Sequence, residues 1–362
     1  MSLSVGVVGL PNAGKSTLFN ALTRAHAAVG NYPFTTIEPN TGVVPVPDSR
    51  LDRLAAMFSP PKVIPATVTF TDIAGLVHGA SSGEGLGNRF LGHIREADSV
   101  LLVVRDFHDP DVSHVEGTVD PSRDIDVIEL ELQLADLDTV QRRLDRVERN
   151  ARLQKQKDID QIALLQRVRD HIDQGRSVRT LDLGADEHLE LRDLWLLTAK
   201  PLLVVANVDE QAAAAEPSPD LLARARAAGG AVLVVSARIE SELVDLDEPD
   251  RQSFLTDLGL AEPGLHRVAR AAYRLLRLLT FFTAGENEVR AWTLRDGGTA
   301  LDAAAVIHTD FARGFIRAEV CDVEDLLASG SYTALRDHGR QRLEGRDYIL
   351  RDGDVVHFRF NV

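Results

Sequence analysis

Cys321 is the sole cysteine in 362 residues, so no disulfide can form within the chain and a reducing compartment is the expected setting. Aromatic residues reach only 5%, and no apolar run approaches the roughly 20 residues that a membrane-spanning helix needs. Runs such as Leu101 to Val104 and Leu202 to Ala206 are the size of strands. The N-terminus has no basic segment leading into an apolar one, so no secretory leader and no membrane partner are expected. Basic charge is scarce as well: 40 lysines and arginines face 55 acidic residues, a formal net charge of -15. Such a balance argues against sequence-independent coating of nucleic acid, DNA included, unless basic residues are gathered in one place. What remains is a cytoplasmic protein with an ordinary core, 44% hydrophobic and 26% charged, long enough for two or three domains at roughly 100–200 residues each.

The chain opens with a β-branched run, Leu3 to Gly9, that breaks at glycine and enters a helical pattern at Ser16 to Leu22. Further apolar runs at 66–73, 99–104, 201–208 and 231–236 alternate with helix-like stretches, as in a mostly parallel sheet with crossover helices. Between Ile125 and Thr198 strand signals stop. Leu137, Val140, Leu144, Val147 and Ala151 make one apolar seam, and Ile162, Leu165, Val168 and Ile172 make another after a polar break. Two helices with such seams hide them against each other as an inserted antiparallel hairpin. From about Leu279 the texture changes to short runs punctuated by glycine, which reads as a small α+β domain.

Gly9-Leu10-Pro11-Asn12-Ala13-Gly14-Lys15-Ser16 fits G-x-x-x-x-G-K-[ST] between a predicted strand and a predicted helix, the setting in which that spacing cradles phosphates. Asn12, Ala13, Gly14, Lys15, Ser16 and Thr17 are therefore the expected phosphate-binding set, with backbone N–H groups and the Lys15 ammonium gripping the β- and γ-phosphates. The lysines number few, at 15, 62, 155, 157 and 200, yet one stands here, where a compact ammonium fits better than a forked guanidinium.

Asp72-Ile73-Ala74-Gly75 follows an apolar strand and places a carboxylate near the phosphates. Asp72 is the expected water-mediated Mg²⁺ partner, Ser16 and Thr36 the expected hydroxyl ligands, and the Gly75 N–H the γ-phosphate contact. Leu76 occupies the place where Ras-like GTPases carry a water-orienting glutamine, so hydrolysis should be slow or depend on another group. His114 is the candidate for that catalytic role. At the end of the 201–206 strand, Asn207-Val208-Asp209-Glu210 stands where N-K-x-D would read guanine. Val208 replaces the lysine and Glu210 the aspartate, which erodes guanine preference and predicts ATP over GTP. Asn207, Val208 and Glu210, with Ser236 on the neighbouring loop, are the expected base-side residues.

These motifs occur in one order, and with Asn31-Tyr32-Pro33-Phe34, 79–88, Phe281 to Gly285, Val289 to Thr293, His308 to Phe311 and Gly314 to Glu319 they resemble the YchF/Obg-like ATPase family over essentially the whole chain. The resemblance implies a P-loop α/β nucleotide domain at 1–125 and 200–278, a helical insertion at 126–199 and a ubiquitin-like TGS domain at 279–362. It also implies ATP preference, slow hydrolysis and association with the ribosome, through its RNA or its proteins. His78 stands where the family usually has lysine, and the hairpin turn lacks the glycine of many relatives. Arg142, Arg143, Arg146, Arg149, Arg152, Lys155 and Lys157 supply the local basic cluster that an RNA contact would need. The expected function is an ATP-dependent switch on the translation machinery. The competing readings are a GTPase of the Obg class and a nucleotide-gated binding module in which hydrolysis is incidental.

Overall fold

The computed structural model describes residues 3–27, 40–73, 86–110, 117–150 and 156–361. Its strands are β1 (Ser4–Gly9), β2 (Thr41–Pro45), β3 (Val63–Ile64), β4 (Thr67–Asp72), β5 (Ser99–Asp106), β6 (Leu202–Val208), β7 (Gly230–Val235), β8 (Leu278–Ala284), β9 (Val289–Arg295), β10 (Phe315–Asp322), β11 (Arg342–Glu344) and β12 (Asp354–Phe360). Two compact units result, Met1–Val43 with Thr69–Val268, and Val44–Val68 with Ala269–Val362.

The first unit is built on a sheet of order β2-β4-β1-β5-β6-β7, in which the pairs β1 with β4, β1 with β5, β5 with β6 and β6 with β7 are all parallel. Strands β5 and β6 are buried almost end to end, which is why they read as continuous apolar runs. Val100, Leu102 and Val104 join Val204, Ala206 and Ile128 in one core beneath the sheet. The strand order steps outward on both sides of β1, which puts a crevice at the C-terminal ends of β1 and β5, where α/β sheets take their ligands.

The insertion is helical as its seams require. Helix Pro121–Asn150 and helix Gln156–Asp173 share one core of Val140, Leu144, Val147, Leu165, Val168 and Ile172. Its root is polar. Buried Asp136 accepts hydrogen bonds from Leu197 N (2.8 Å), Thr198 N (2.8 Å) and Thr198 Oγ1 (2.7 Å), so the connection back to β6 is pinned to the long helix. Burial pushes the Asp136 pKa up despite those donors. Glu129 pairs with Arg179 at 2.8 Å beside it, both side chains almost wholly out of water.

The second unit carries a sheet of order β11-β10-β12-β8-β9-β3. Strands β8 and β9 are antiparallel, as are β10 and β12, while β12 runs parallel to β8. Phe281, Leu294, Ala303, Val320 and Phe358 form its core. Segment 44–68 packs in this unit, although the sequence reading gave 1–125 to the nucleotide domain. β3 pairs with β9, and helix Ser49–Phe58 anchors through Arg50 to Asp352 (2.6 Å) and Arg53 to Glu324 (2.7 Å). Sequence order hid this because the partners lie about 300 positions downstream, as in the 302-residue separation of Arg50 and Asp352. The contact division also falls at 268/269, ten residues before the 278/279 boundary read from sequence, and keeps 126–199 with the first unit.

Candidate functional site: the phosphate loop and its neighbours

Buried β1 ends at Gly9, and helix Lys15–Ala27 starts at the lysine of the motif, so the loop between them lies at the positive end of that helix, the setting in which backbone N–H groups meet an anion. Two residues turn the chain in the left-handed region, Asn12 at φ 64° and Gly14 at φ 83°. Gly14 has no substitute: a Cβ there would lie 2.1 Å from Asn207 Nδ2. Lys15 is buried and its ammonium contacts the Asp72 carboxylate, while Ser16 and Thr17 are exposed on the same turn. The turn after β1 and the end of β4 thus bring the Lys15 ammonium to the Asp72 carboxylate, with Ser16 the next residue along the helix.

Asn207, at the end of β6, does more than line the base side. Its Nδ2 donates to Ala13 O (3.0 Å) and its Oδ1 accepts from Ala237 N (2.9 Å), which ties the phosphate loop to the turn after β7. Val208 is buried beside it, so the lysine position of N-K-x-D is filled by packing. The Glu210 carboxylate is taken by Arg238 Nε at 2.8 Å. Ser236 is buried and its hydroxyl has no hydrogen-bond partner among the described residues. Asn12, Gly14, Thr17, Asn207, Val208, Glu210 and Ser236 all line one cavity of about 730 Å³, a volume within the usual range for a small-molecule site.

Sequence reasoning missed one wall of that cavity. Phe107 and His108 follow the last residue of β5, and Phe107 lies near the Gly14 turn. The signal was available, because residues just past the C-terminal end of a central parallel strand face the ligand crevice. Arg105 supports this wall. Its buried guanidinium lies 4.5 Å from the Phe107 ring centre, and it donates to Phe107 O (3.2 Å) and Asp109 O (3.3 Å). Asp209 Oδ2 accepts from His108 N at 3.2 Å, joining the β5 and β6 loops. Desolvation raises the Asp106 pKa, with nearby Asp209 adding to the rise and His108 opposing it.

Thr36, Gly75 and His114 lie outside the described residues, as do Leu76, His78, Arg152 and Lys155. Among the described residues no cluster of histidine, cysteine and carboxylate side chains forms a metal cage. Ser16, exposed next to Lys15 in the chain, and Asp72, whose carboxylate meets the Lys15 ammonium, are hard oxygen donors of the kind magnesium takes. That set suits a magnesium ion, which keeps several waters and takes its other ligands from substrate phosphates.

Residues 4–131 match the family described as 50S ribosome-binding GTPase, and residues 278–361 match the YchF-GTPase_C family, described as a protein of unknown function. The chain is 50% identical over 363 residues to a ribosome-binding ATPase YchF of Haemophilus influenzae and 49% identical over 369 residues to that of Bacillus subtilis, with full coverage of both chains in each case. Among solved structures, the YchF GTPase of Schizosaccharomyces pombe superposes with a TM-score of 0.90 at 34% identity, covering 99% of this chain and 98% of that one.

Proposed function

Because the chain belongs to the YchF family, we propose that it is an ATP-binding, slowly hydrolysing nucleotide switch that works in the cytoplasm and associates with the ribosome. One observation carries the choice of nucleotide. Guanine is read by a carboxylate that accepts two hydrogen bonds from the base edge under a lysine stem, and here Val208 is buried with no stem to cover the ring, while Glu210, longer than aspartate by one methylene, has one carboxylate oxygen paired with Arg238. Guanine's N1–H and N2–H donors would then lack a matched pair of acceptors, whereas adenine carries an acceptor at N1 and only a C–H at position 2.

Lys15 and the amides of the Asn12–Ser16 turn hold the phosphates, and Asn207 keeps the loop in register with the base pocket. Ser16 and Asp72, with Thr36, are the residues that would hold magnesium, which would neutralise the charge developing on the phosphates. Catalysis then rests on positioning and charge, and with Leu76 at the glutamine position turnover is slow. His114 is the group we assign to orienting the attacking water. The domain reading carries over as a nucleotide domain, a helical insertion and a TGS-like C-terminal domain.

Calorimetric titration of the purified chain with ATP and with GTP in magnesium buffer tests the nucleotide, and co-sedimentation with ribosomes tests the partner. Tighter ATP binding and recovery in the ribosomal pellet are expected. Tighter GTP binding would overturn the base-pocket reading, and absence from the pellet the ribosomal one.

A further inference from the structure

A second cavity, of about 250 Å³, opens at the root of the helical hairpin and shares no lining residue with the nucleotide cavity. It is smaller than a typical site for a drug-sized ligand, so it has room for one ring system or one charged group. Arg179, His188, Arg192, Trp195 and Lys200 line it, with Asp98 as its carboxylate. In a chain of net charge -15, this gathering of cations is, like the basic run at 142–157, a local departure from the overall charge.

The cations divide into anchored and free. Arg179 is fixed by bonds from Nε to Lys200 O (2.7 Å) and from Nη1 to Glu129 (2.8 Å) and Ala228 O (2.9 Å). Lys200 Nζ donates to Arg95 O at 3.0 Å. Asp98 is itself engaged, its Oδ2 accepting from Ser4 N at 2.9 Å. Arg192 is exposed and pairs with no carboxylate among the described residues. Three residues on and lining the same cavity, Trp195 adopts φ 49° at the end of a tight turn, a conformation that bulky residues rarely take, and the residue is 59% exposed to solvent. No aromatic ring or cation among the described residues covers that indole.

An open indole face beside an unpaired guanidinium matches the two halves of a nucleotide in a single strand: a base that stacks and a phosphate that seeks charge. An acidic peptide would use the arginine and leave the ring idle. We propose that this cavity receives an unpaired nucleotide of ribosomal RNA, the base stacked on Trp195 and the phosphate met by Arg192. The inference rests on the ribosomal reading above and supplies it with a contact.

The chain has two tryptophans, so Trp292→Phe leaves Trp195 as the sole reporter. With the nucleotide cavity first saturated with ADP, titration with single-stranded oligouridylate or oligoadenylate RNA should quench that fluorescence saturably, and added salt should weaken the binding. Trp195→Ala should lower affinity for labelled RNA by roughly 5- to 150-fold, the range for loss of one stacked base, while Trp195→Phe retains most of it. Arg192→Glu should weaken binding without abolishing quenching at high RNA. Thermal unfolding of each variant identifies any that fail to fold. Fluorescence untouched by RNA, or equal quenching by polyglutamate, would overturn the proposal. In co-sedimentation, a wild-type chain that pellets with ribosomes together with an equally pelleting Trp195→Ala variant sinks this contact alone. A wild-type chain that does not pellet sinks the ribosomal reading.

Discussion

Asn207 holds the site together through a donor and an acceptor on one short side chain. Removing it in Asn207→Ala leaves the Ala13 carbonyl and the Ala237 N–H without their partner, both in buried surroundings. Each unsatisfied group costs about 1–3 kcal/mol. The variant should melt several degrees lower and bind ATP at least about tenfold more weakly, since the phosphate loop loses its tie to the base side. Asn207→Asp keeps the acceptor for Ala237 but sets a buried anionic oxygen against the Ala13 carbonyl and near the phosphates, so it should weaken ATP binding at least as much as the alanine variant. Calorimetry and thermal unfolding measure both effects, and an affinity equal to wild type would show that the loop holds its shape unaided. The same residue scale explains why Gly14 and Lys15 stand out in the chain. The phosphate-binding role proposed for them follows from a short local spacing, whereas Arg105 acts through Phe107 and gives no pattern in the chain: a single arginine closing an apolar strand looks like a surface residue until the fold buries it.

At the scale of elements, hydrophobic period was a reliable guide where burial is one-sided or complete. The runs at 99–104, 201–208 and 231–236 became β5, β6 and β7 within two residues at either end, and the two heptad-like seams met in one core. Short edge strands escaped notice. β2, β3 and β11 are short and bury few residues, so their sequences carry little signal of their own, and β3 takes its partner from far downstream, Val63 facing Val289. Another long-range tie joins helices. Buried Glu240, in helix Ala237–Leu243, accepts from Gly264 N (2.7 Å) and Leu265 N (3.3 Å) at the start of helix Gly264–Leu275. Desolvation raises its pKa above the ordinary glutamate value, although those N–H groups and Arg267 act against the rise. A raised folded pKa means that the folded state binds the proton more tightly than the unfolded chain. This contribution to stability is full below the unfolded value and is lost as pH climbs through the folded one. Glu240→Gln, which keeps an acceptor for Gly264 and cannot ionise, should flatten the dependence of the urea midpoint on pH above about 4.3. Parallel curves for variant and wild type would remove Glu240 as the source of that slope.

Over the whole molecule, the excess of acidic residues sets a condition on any RNA partner. Long-range repulsion must be overcome by a few arginines gathered where the docking occurs. The long hairpin helix offers such a group on the side away from its seam: Arg142, Arg146 and Arg149 are all exposed, whereas Val140, Leu144 and Val147 are buried. Arg142 pairs with Asp138 one turn earlier at 2.6 Å, and Arg149 Nε donates to the Asp145 carbonyl at 3.0 Å, both in open solvent where such contacts are worth less than about 1 kcal/mol and are readily exchanged for phosphate. Arg143 is already committed to Asp193 across the hairpin root. Reversal of Arg142, Arg146 and Arg149 to glutamate should therefore reduce ribosome co-sedimentation and make what remains less sensitive to salt, because fewer counterions are released on binding. Thermal unfolding checks that the hairpin still folds. Undiminished sedimentation with an unchanged salt slope would leave these arginines as solvent-facing charge and move the electrostatic contact elsewhere on the chain.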